Sequence, residues 1–291
     1  MKTSIDCIPC FIRQTFDAVR MLTDDAGVLE SVVRSVLSLI SDMAFTDPPP
    51  LMGQAIHRLI RTACNDSDPY REVKQQSNRL ALGLYPVLKS RIRNSAHPFE
   101  TALRLSIAGN IIDFGTSSRV TDETVHSTIQ ACYHNRLNTT AVEQLQEEVR
   151  RASNILYLGD NAGEIVFDRL FIEELPREKV TYVVRGSPTI NDATMADARE
   201  VGMTEIVSVR DNGTDIPGTH LEKCPESFTR LFNTADIIIA KGQGNYETLS
   251  DSKKNIFFLF TVKCAVIAYH AGCSIGESAI IRGGEKEAGV R

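Results

Sequence analysis

The second half of the chain alternates between short apolar runs and helix-like stretches, and no other feature restricts the fold as much. The runs are rich in β-branched residues and lie at 155–158, 180–184, 206–209, 237–240 and 256–260. Helix candidates lie between them at 163–175, 192–201 and 225–233. Such alternation predicts an α/β fold, with a mostly parallel sheet covered by helices on both faces. Functional residues are then expected beyond the carboxyl ends of the strands.

The first half has a different pattern. Between residues 6 and 149, apolar side chains recur at three- and four-residue steps, and clusters of Pro, Asn and Asp separate the segments. This spacing is typical of amphipathic helices, and no period-two strand pattern occurs there. We therefore predict two domains: an all-helical domain over residues 1–150 and an α/β domain over residues 151–291.

Composition excludes several classes of protein. Hydrophobic residues make up 42% and charged residues 24% of the 291 positions, which indicates a folded chain rather than a disordered one. A net charge of -5 gives no sign of the basic surface with which proteins bind nucleic acid. The apolar runs are much shorter than the ~20 residues that span a bilayer, and the start does not resemble a secretory signal. We expect a cytoplasmic protein with no membrane or nucleic-acid partner.

Cysteine usage agrees with a reducing compartment. The chain has seven cysteines, an odd number spread over its length, which favours free thiols. Cys7 and Cys10 have the spacing of a metal or redox pair. Because no second pair completes a zinc site, we predict a structural role for them.

Acidic and amide side chains follow the first two apolar runs. Gly159 to Glu164 reads as a tight turn into a helix and contains Asp160 and Asn161, and the next loop contains Asp192. If the two runs are neighbouring strands, these side chains converge as an all-oxygen set, which suits Mg²⁺ or Mn²⁺. The alternative is that Asp160 shapes a turn and Asp192 caps a helix.

Positive charge follows two later runs. Lys241 begins the glycine-rich stretch Lys241-Gly242-Gln243-Gly244-Asn245, and Lys263 follows the run at 256–260. Glycines let backbone N–H groups approach an anion, and a lysine adds a point charge suited to phosphate. The alternative is an ordinary glycine turn with a solvated lysine.

Asn110 and Asp113 are a further polar pair, set in an apolar stretch of the helical half. Their spacing places both on one helix face. They form either a satisfied buried pair or part of a site at a domain cleft, and the pattern does not decide between the two.

Several familiar chemistries lack their motifs. The chain has no GxGxxG after a strand and no GxxxxGK[ST], and the second run ends in Arg185 where an acid would bind a ribose. Asp160-Asn161-Ala162 also lacks the second acid, two residues on, that a phosphatase of the haloacid-dehalogenase type would use. A carboxylate nucleophile of that kind is therefore disfavoured.

Together these motifs resemble the metal-dependent damage-control phosphatases, whose domain also bears the name of an acidic-residue (protein-glutamate) carboxyl methyltransferase. The resemblance covers nearly the whole chain, and the amino-terminal cysteine pair is similar to the branch from archaea and bacteria. The motifs that carry it are Cys7-Ile8-Pro9-Cys10, Gly109 to Asp113, Asp160-Asn161-Ala162-Gly163-Glu164, Asn191-Asp192 and Lys241 to Tyr246.

The resemblance implies a helical domain packed on a three-layer α/β/α, Rossmann-like domain. It implies that Asp160, Asn161 and Asp192 are the metal ligands and the catalytic residues. It places further residues in the substrate pocket, namely Glu164, Asn110, Asp113, Lys241, Asn245 and Lys263. One departure is that some branches have Arg-Thr-x-Lys where this chain has Phe260-Thr261-Val262-Lys263, so an arginine contact is missing.

The function expected from the resemblance is hydrolysis of phosphomonoesters of small metabolites, with sugar phosphates as the substrate class. The cofactor would be Mg²⁺ or Mn²⁺, with Co²⁺ and Ni²⁺ as alternatives, and we favour water at the metal as the attacking group. Two other functions stay open: an adenosylmethionine-dependent carboxyl methyltransferase, and a metal-dependent phosphometabolite-binding protein without catalysis.

Overall fold

A computed structural model describes residues 1–109, 130 and 137–284. Within this part of the chain, no helix combines the length and apolarity needed to cross a bilayer. The helices are α1 (Ile8–Arg20), α2 (Ala26–Ser41), α3 (Pro49–Cys64), α4 (Arg71–Arg93), α5 (Pro98–Ala108), α6 (Thr139–Arg151), α7 (Glu164–Ile172), α8 (Met195–Glu200), α9 (Glu226–Thr234), α10 (Gly242–Leu249) and α11 (Ala265–Ala271). The strands are β1 (Ile155–Leu158), β2 (Val180–Val184), β3 (Ser208–Asp211), β4 (Ile237–Lys241), β5 (Ile256–Thr261) and β6 (Ser278–Arg282).

The strands form one sheet in the order β3-β2-β1-β4-β5-β6. The first five are parallel, and β6 pairs antiparallel with β5 at one edge. The predicted α/β fold with a mostly parallel sheet is confirmed. Consecutive strands lie on one side of β1 and later strands on the other, so the order reverses between β1 and β4. This switch point is where open α/β sheets bind ligands.

Two strands differ from the sequence prediction. The third run was predicted at 206–209, but β3 begins at Ser208, because a short 3-10 helix over Met203–Glu205 precedes it and Ile206 caps that helix. Strand β6 was not predicted. It is short and has polar residues at both ends, and its place at the sheet edge needs no continuous apolar run.

Alternation along the strands gives the sheet two apolar faces. Tyr157 and Ile239 face a core that includes side chains of α4 to α8, whereas Leu158 and Ile238 face α9 to α11. Side chains on neighbouring strand positions point to opposite faces, so a strand covered by helices on both sides is apolar throughout. The result is a three-layer α/β/α arrangement.

The amino-terminal helices α1, α2 and α3 enclose a separate hydrophobic cluster that contains Phe11, Val36 and Ile56. Helices α4, α5 and α6 instead contribute to the core on the sheet. The helical half therefore supplies part of the covering layer of the α/β half. The division into domains at residue 150 stays a prediction.

Helix α3 is fixed to the loops that follow β2 and β3. The carboxylate of Asp215 accepts hydrogen bonds from Arg58 Nε at 2.8 Å and from Arg61 Nη2 at 2.6 Å. Arg61 Nη1 also donates to the carbonyl of Pro188 at 2.5 Å. Burial favours the neutral acid, but the hydrogen bonds from Arg58, Gln54 and Arg61 hold the pKa of Asp215 well below its usual range. The helix therefore limits the movement of both loops.

His57 lies on α3 and is only 1% exposed. Its ring meets Tyr70 edge to face, with 5.8 Å between the ring centroids. Burial and the charge of Arg61 lower the pKa of His57 to about 4. The imidazole is therefore neutral in the folded protein at pH values where an exposed histidine is charged.

His57→Phe should reduce the sensitivity of the fold to mild acid. Below the ordinary imidazole pKa of about 6.5 the unfolded chain binds a proton that the folded chain does not, so stability falls as the pH decreases. Between pH 7 and 5 the wild type should lose about 2 kcal/mol more unfolding free energy than the variant. Urea unfolding at several pH values measures this difference, and parallel pH profiles would contradict it.

Candidate active site

Backbone contacts bring the loops after β1 and β2 together. Asn161 and Asp192 form an isolated antiparallel bridge. On either side of it, Ala162 N donates to Asn191 O at 2.9 Å and Ala193 N donates to Asp160 O at 2.8 Å. Because main-chain groups make these contacts, the side chains of Asp160, Asn161 and Asp192 are not needed to join the two loops.

Asp192 is not a helix cap. Helix α8 begins at Met195, and Thr194 N donates to Asp197 Oδ2 at 2.8 Å, so Thr194 and Asp197 cap that helix between them. The Asp192 carboxylate, which is 3% exposed, instead accepts from Arg185 Nε at 2.6 Å. The structural alternative for Asp192 is therefore wrong.

Asp160 lies beside the same guanidinium. Arg185 Nη2 is 3.7 Å from Asp160 Oδ1, and the Asp160 side chain is 11% exposed. Burial and the charge of Asp192 raise the pKa of Asp160 above its usual range, although Arg185 acts in the opposite direction. Burial also raises the pKa of Asp192. Two neighbouring buried carboxylates with raised pKa values mark a candidate functional site.

The Asn161 amide joins Asp160 to the start of α7. Its Nδ2 donates to Asp160 Oδ2 at 2.8 Å and to Glu164 Oε2 at 3.1 Å. The structure thus brings the predicted residues Asp160, Asn161, Asp192 and Glu164 into one cluster.

The oxygen atoms of this cluster fit a hard divalent cation. Asp160, Asp192 and Asn161 offer carboxylate and amide oxygens, which are the ligand types of Mg²⁺ and Mn²⁺. The two buried carboxylates carry like charges that repel each other, so a cation between them would also stabilise the pair. In residues 1–109, 130 and 137–284 no group of three or more His, Cys, Asp or Glu side chains is placed to hold a metal ion. A metal at this cluster would therefore depend on the amide as well as on the two acids.

Lys241 lies behind the cluster and not in the open crevice. It is fully buried, and its Nζ donates to Glu164 Oε1 at 2.6 Å, to Asp168 Oδ1 at 2.6 Å and to Ser106 O at 2.9 Å. An ammonium group has three N–H donors, and the protein uses all of them. Neighbouring carboxylates keep the pKa of Lys241 above its usual range despite the opposing effect of burial.

Asp168, which the sequence reading missed, completes this buried network. Its Oδ1 accepts from Lys241, from Tyr157 OH at 2.8 Å and from Ser106 Oγ at 2.9 Å, and its Oδ2 accepts from Tyr182 OH at 2.9 Å. The available signal was an acid one helical turn after Glu164 in an otherwise apolar stretch. A buried carboxylate of this kind is retained only when it is fully hydrogen-bonded.

The start of α10 lies directly against Asp160. Gly242 has a φ of +78°, and a Cβ atom there would lie 2.0 Å from Asp160 Oδ2. Asn245 is fully buried, and its Nδ2 donates to Lys241 O at 2.7 Å and to Gly159 O at 3.3 Å. Its Oδ1 accepts from Thr219 Oγ1 at 2.8 Å. Asn245 thus joins the ends of β1 and β4.

The remaining predicted residues have different outcomes. Lys263 is exposed at the end of β5, and its charge lowers the pKa of Asp160. Its backbone N donates to Gln243 Oε1 at 3.3 Å. Lys263 is therefore a solvent-exposed charge near Asp160, and its role in the site stays a prediction. Asn110 and Asp113 lie outside the described residues.

Ile190 precedes the site residues of the second loop in a strained conformation. Its φ is 44°, in the left-handed region that a β-branched residue avoids. The side chain packs against the hydrophobic cluster of α1, α2 and α3. This packing offsets a backbone strain of about 1–2 kcal/mol and fixes the direction in which the chain enters Asn191 and Asp192.

Comparison with known proteins gives the family. The family model of the damage-control phosphatase ARMT1-like domain matches residues 3–279. The chain belongs to the damage-control phosphatase family. It is 34% identical over 283 residues to the damage-control phosphatase of Archaeoglobus fulgidus, with 95% of this chain and 98% of that protein covered. It is 33% identical over 273 residues to the damage-control phosphatase PH1575 of Pyrococcus horikoshii, with 92% and 93% covered.

The fold agrees with a solved structure of this family. A crystal structure of a DUF89 family protein (PH1575) from Pyrococcus horikoshii matches with a TM-score of 0.89 and 32% sequence identity. The match covers 97% of this chain and 99% of that chain. The predicted family and the predicted fold are both confirmed.

Asp168→Asn should destabilise the protein severely. The substitution removes the negative charge beside the buried Lys241 ammonium. It also replaces one acceptor oxygen with an NH2 donor, which would face hydroxyl groups that now donate to Asp168. Breaking a buried pair in this way costs about 3–5 kcal/mol of unfolding free energy. Urea or thermal unfolding measures the change.

A suitable control is Glu226→Gln, because Glu226 pairs with Arg230 on the exposed face of α9. Exposed pairs contribute little, so this variant should unfold like the wild type. Wild-type stability of Asp168→Asn would contradict a structural role for the network.

Proposed function

We propose that this chain is a divalent-metal-dependent phosphatase that hydrolyses phosphomonoesters of small metabolites. The observation that carries the proposal is the pair of buried carboxylates, Asp160 and Asp192, held side by side at the ligand edge of the sheet. Its membership of the damage-control phosphatase family supports the reaction class. The resemblance of its motifs to that family supports sugar phosphates as the substrate class.

Asp160, Asn161 and Asp192 would hold Mg²⁺ or Mn²⁺, with Co²⁺ or Ni²⁺ as alternatives. Such an ion supplies positive charge and Lewis acidity to a phosphoryl oxygen. The protein contributes a rigid set of ligands, because backbone hydrogen bonds join both loops and the Asn161 amide contacts both Asp160 and Glu164. Fixed ligands of this kind pay no reorganisation cost at the moment of reaction.

Glu164 and Lys241 have supporting roles in this proposal. Lys241 holds one oxygen of Glu164, and the other oxygen accepts from Asn161. Lys241 therefore orients Glu164, and Glu164 orients the Asn161 amide. This differs from the predicted contact between Lys241 and phosphate, because the three N–H donors of the lysine are already used.

Lys263 and the first turn of α10 form the substrate side. Lys263 is exposed and close enough for its charge to affect Asp160. The amino terminus of a helix attracts anions, and α10 begins at Gly242, against the Asp160 carboxylate. A phosphoryl group seated between them would meet positive potential from both sides.

Asp160→Asn should abolish metal-stimulated phosphatase activity without unfolding the protein. Loss of one anionic ligand should lower turnover by at least about 100-fold. The assay is phosphate release from a panel of phosphorylated metabolites with Mg²⁺, Mn²⁺, Co²⁺ and Ni²⁺ in parallel. Asp42→Asn is a matched control, because Asp42 is exposed at the end of α2.

Two outcomes would favour the other functions. Tight calorimetric binding of adenosylmethionine without phosphate release would support a carboxyl methyltransferase. Stabilisation by phosphometabolites without turnover under any of the metals would support a binding protein. Full metal-stimulated turnover in Asp160→Asn would contradict the proposed set of metal ligands.

A further inference from the structure

Arg185 is a buried arginine with unused hydrogen-bond donors at the edge of the carboxylate cluster. It follows β2 and is 1% exposed. Its Nε donates to Asp192 Oδ2 at 2.6 Å, and its Nη2 lies 3.7 Å from Asp160 Oδ1. Nη1 and Nη2 are both buried, and neither has a hydrogen-bond partner among the described residues.

We propose that Arg185 is an anion-binding residue, whose two terminal nitrogens bind the phosphoryl oxygens of the substrate. The inference rests on the proposed phosphatase function and adds a residue to the same site. A guanidinium group is planar and presents paired N–H donors that match two oxygens of a phosphate. The Nε contact with Asp192 holds this group in one orientation.

The unused donors are the first argument. A buried polar nitrogen without a partner is unfavourable, and native proteins keep few of them. Here two lie on one side chain, at the strand ends where an open α/β sheet binds ligands. A ligand with oxygen acceptors would satisfy both nitrogens.

Charge is the second argument. Asp160 and Asp192 carry two negative charges, and Arg185 supplies one positive charge. The nearby Lys241 does not change this sum in favour of an anion, because its one positive charge is matched by two carboxylates, Glu164 and Asp168. In the proposed enzyme a divalent cation would offset the negative charge of the carboxylates, and Arg185 would then offer its positive charge to a phosphoryl group.

A second arginine, the half-buried Arg169, shows what a structural arginine looks like in this protein. Arg169 Nε also lacks a hydrogen bond, but it lies 3.6 Å from Glu173 Oε1, and its guanidinium lies over the Tyr85 ring, 4.8 Å from the centroid. Its Nη1 donates to Val201 O at 2.6 Å. Arg169 is thus held by an aromatic ring, a carbonyl and the carboxylate of Glu173, which lies one helical turn further along the chain. The side chains that hold Arg185 are the carboxylates of the site.

The test measures binding of inorganic phosphate and does not depend on turnover. Isothermal titration calorimetry would give the phosphate affinity of the wild type, Arg185→Gln, Arg185→Lys and the control Arg169→Gln, each with saturating Mn²⁺. A separate titration would give the Mn²⁺ affinity. Thermal unfolding would establish that each variant is folded.

Arg185→Gln should weaken phosphate binding by roughly 10- to 100-fold, because two charge-assisted hydrogen bonds are lost. Arg185→Lys keeps the charge beside Asp192 but loses the fork, so it should show a reduction of about 10-fold. If the glutamine variant does not fold, the lysine variant decides the question. Mn²⁺ affinity should stay the same or increase in both, because the variants remove no ligand and the glutamine removes a competing positive charge.

Three results would overturn the inference. One is wild-type phosphate affinity in a folded Arg185 variant, the second is no phosphate binding by the wild type, and the third is an equal loss of phosphate and Mn²⁺ affinity in the Arg185 variants. The last would make Arg185 a positioning residue for the carboxylates. Failure of the proposed function looks different: phosphate would bind through Arg185 while no phosphomonoester is hydrolysed.

Discussion

The buried ion pairs of Lys241 with Glu164 and Asp168 are the interactions on which the site depends. Lys241 ends a central strand, and both acids lie on the helix that follows the neighbouring strand. The network therefore fixes α7 against the sheet at the point where the strand order reverses. Lys241 fixes Glu164, and Glu164 in turn contacts the side-chain amide of Asn161, so the position of the buried lysine determines the position of that amide. A small change in this network would move the groups that face the crevice.

The amino-terminal helices stabilise the other half of the site. Arg61 and Arg58 of α3 hold the loops after β2 and β3, and the Ile190 side chain packs against the cluster formed by α1, α2 and α3. Asp192 follows Ile190 by two residues. The helical cluster thus helps to hold a left-handed backbone conformation that the second loop would not keep by itself. In this protein the distant helices position the loop that carries an acid of the site.

Some of this arrangement could be predicted from the sequence. The apolar runs of β1 and β2 are bounded by polar residues and glycine, so their positions and the convergence of Asp160 with Asp192 follow from the rules for parallel sheets. The role of Lys241 could not be read in the same way. A glycine-rich stretch after a strand suggests an open anion site, and only the packing of α7 reveals two acids beneath it. The role of Arg185 could not be predicted either, because its two carboxylate partners, Asp160 and Asp192, meet it only when the loops after β1 and β2 fold together.

Gly242 has a consequence for the interpretation of related sequences. The backbone at this position is so close to Asp160 that a methyl group would occupy the place of the carboxylate oxygen. The restriction is steric, so it applies to every side chain whatever its polarity. A relative that keeps both acids but has another residue at this position must either move its carboxylate or shift the start of the helix. Such a sequence is a candidate for a family member that has kept the fold and lost the chemistry.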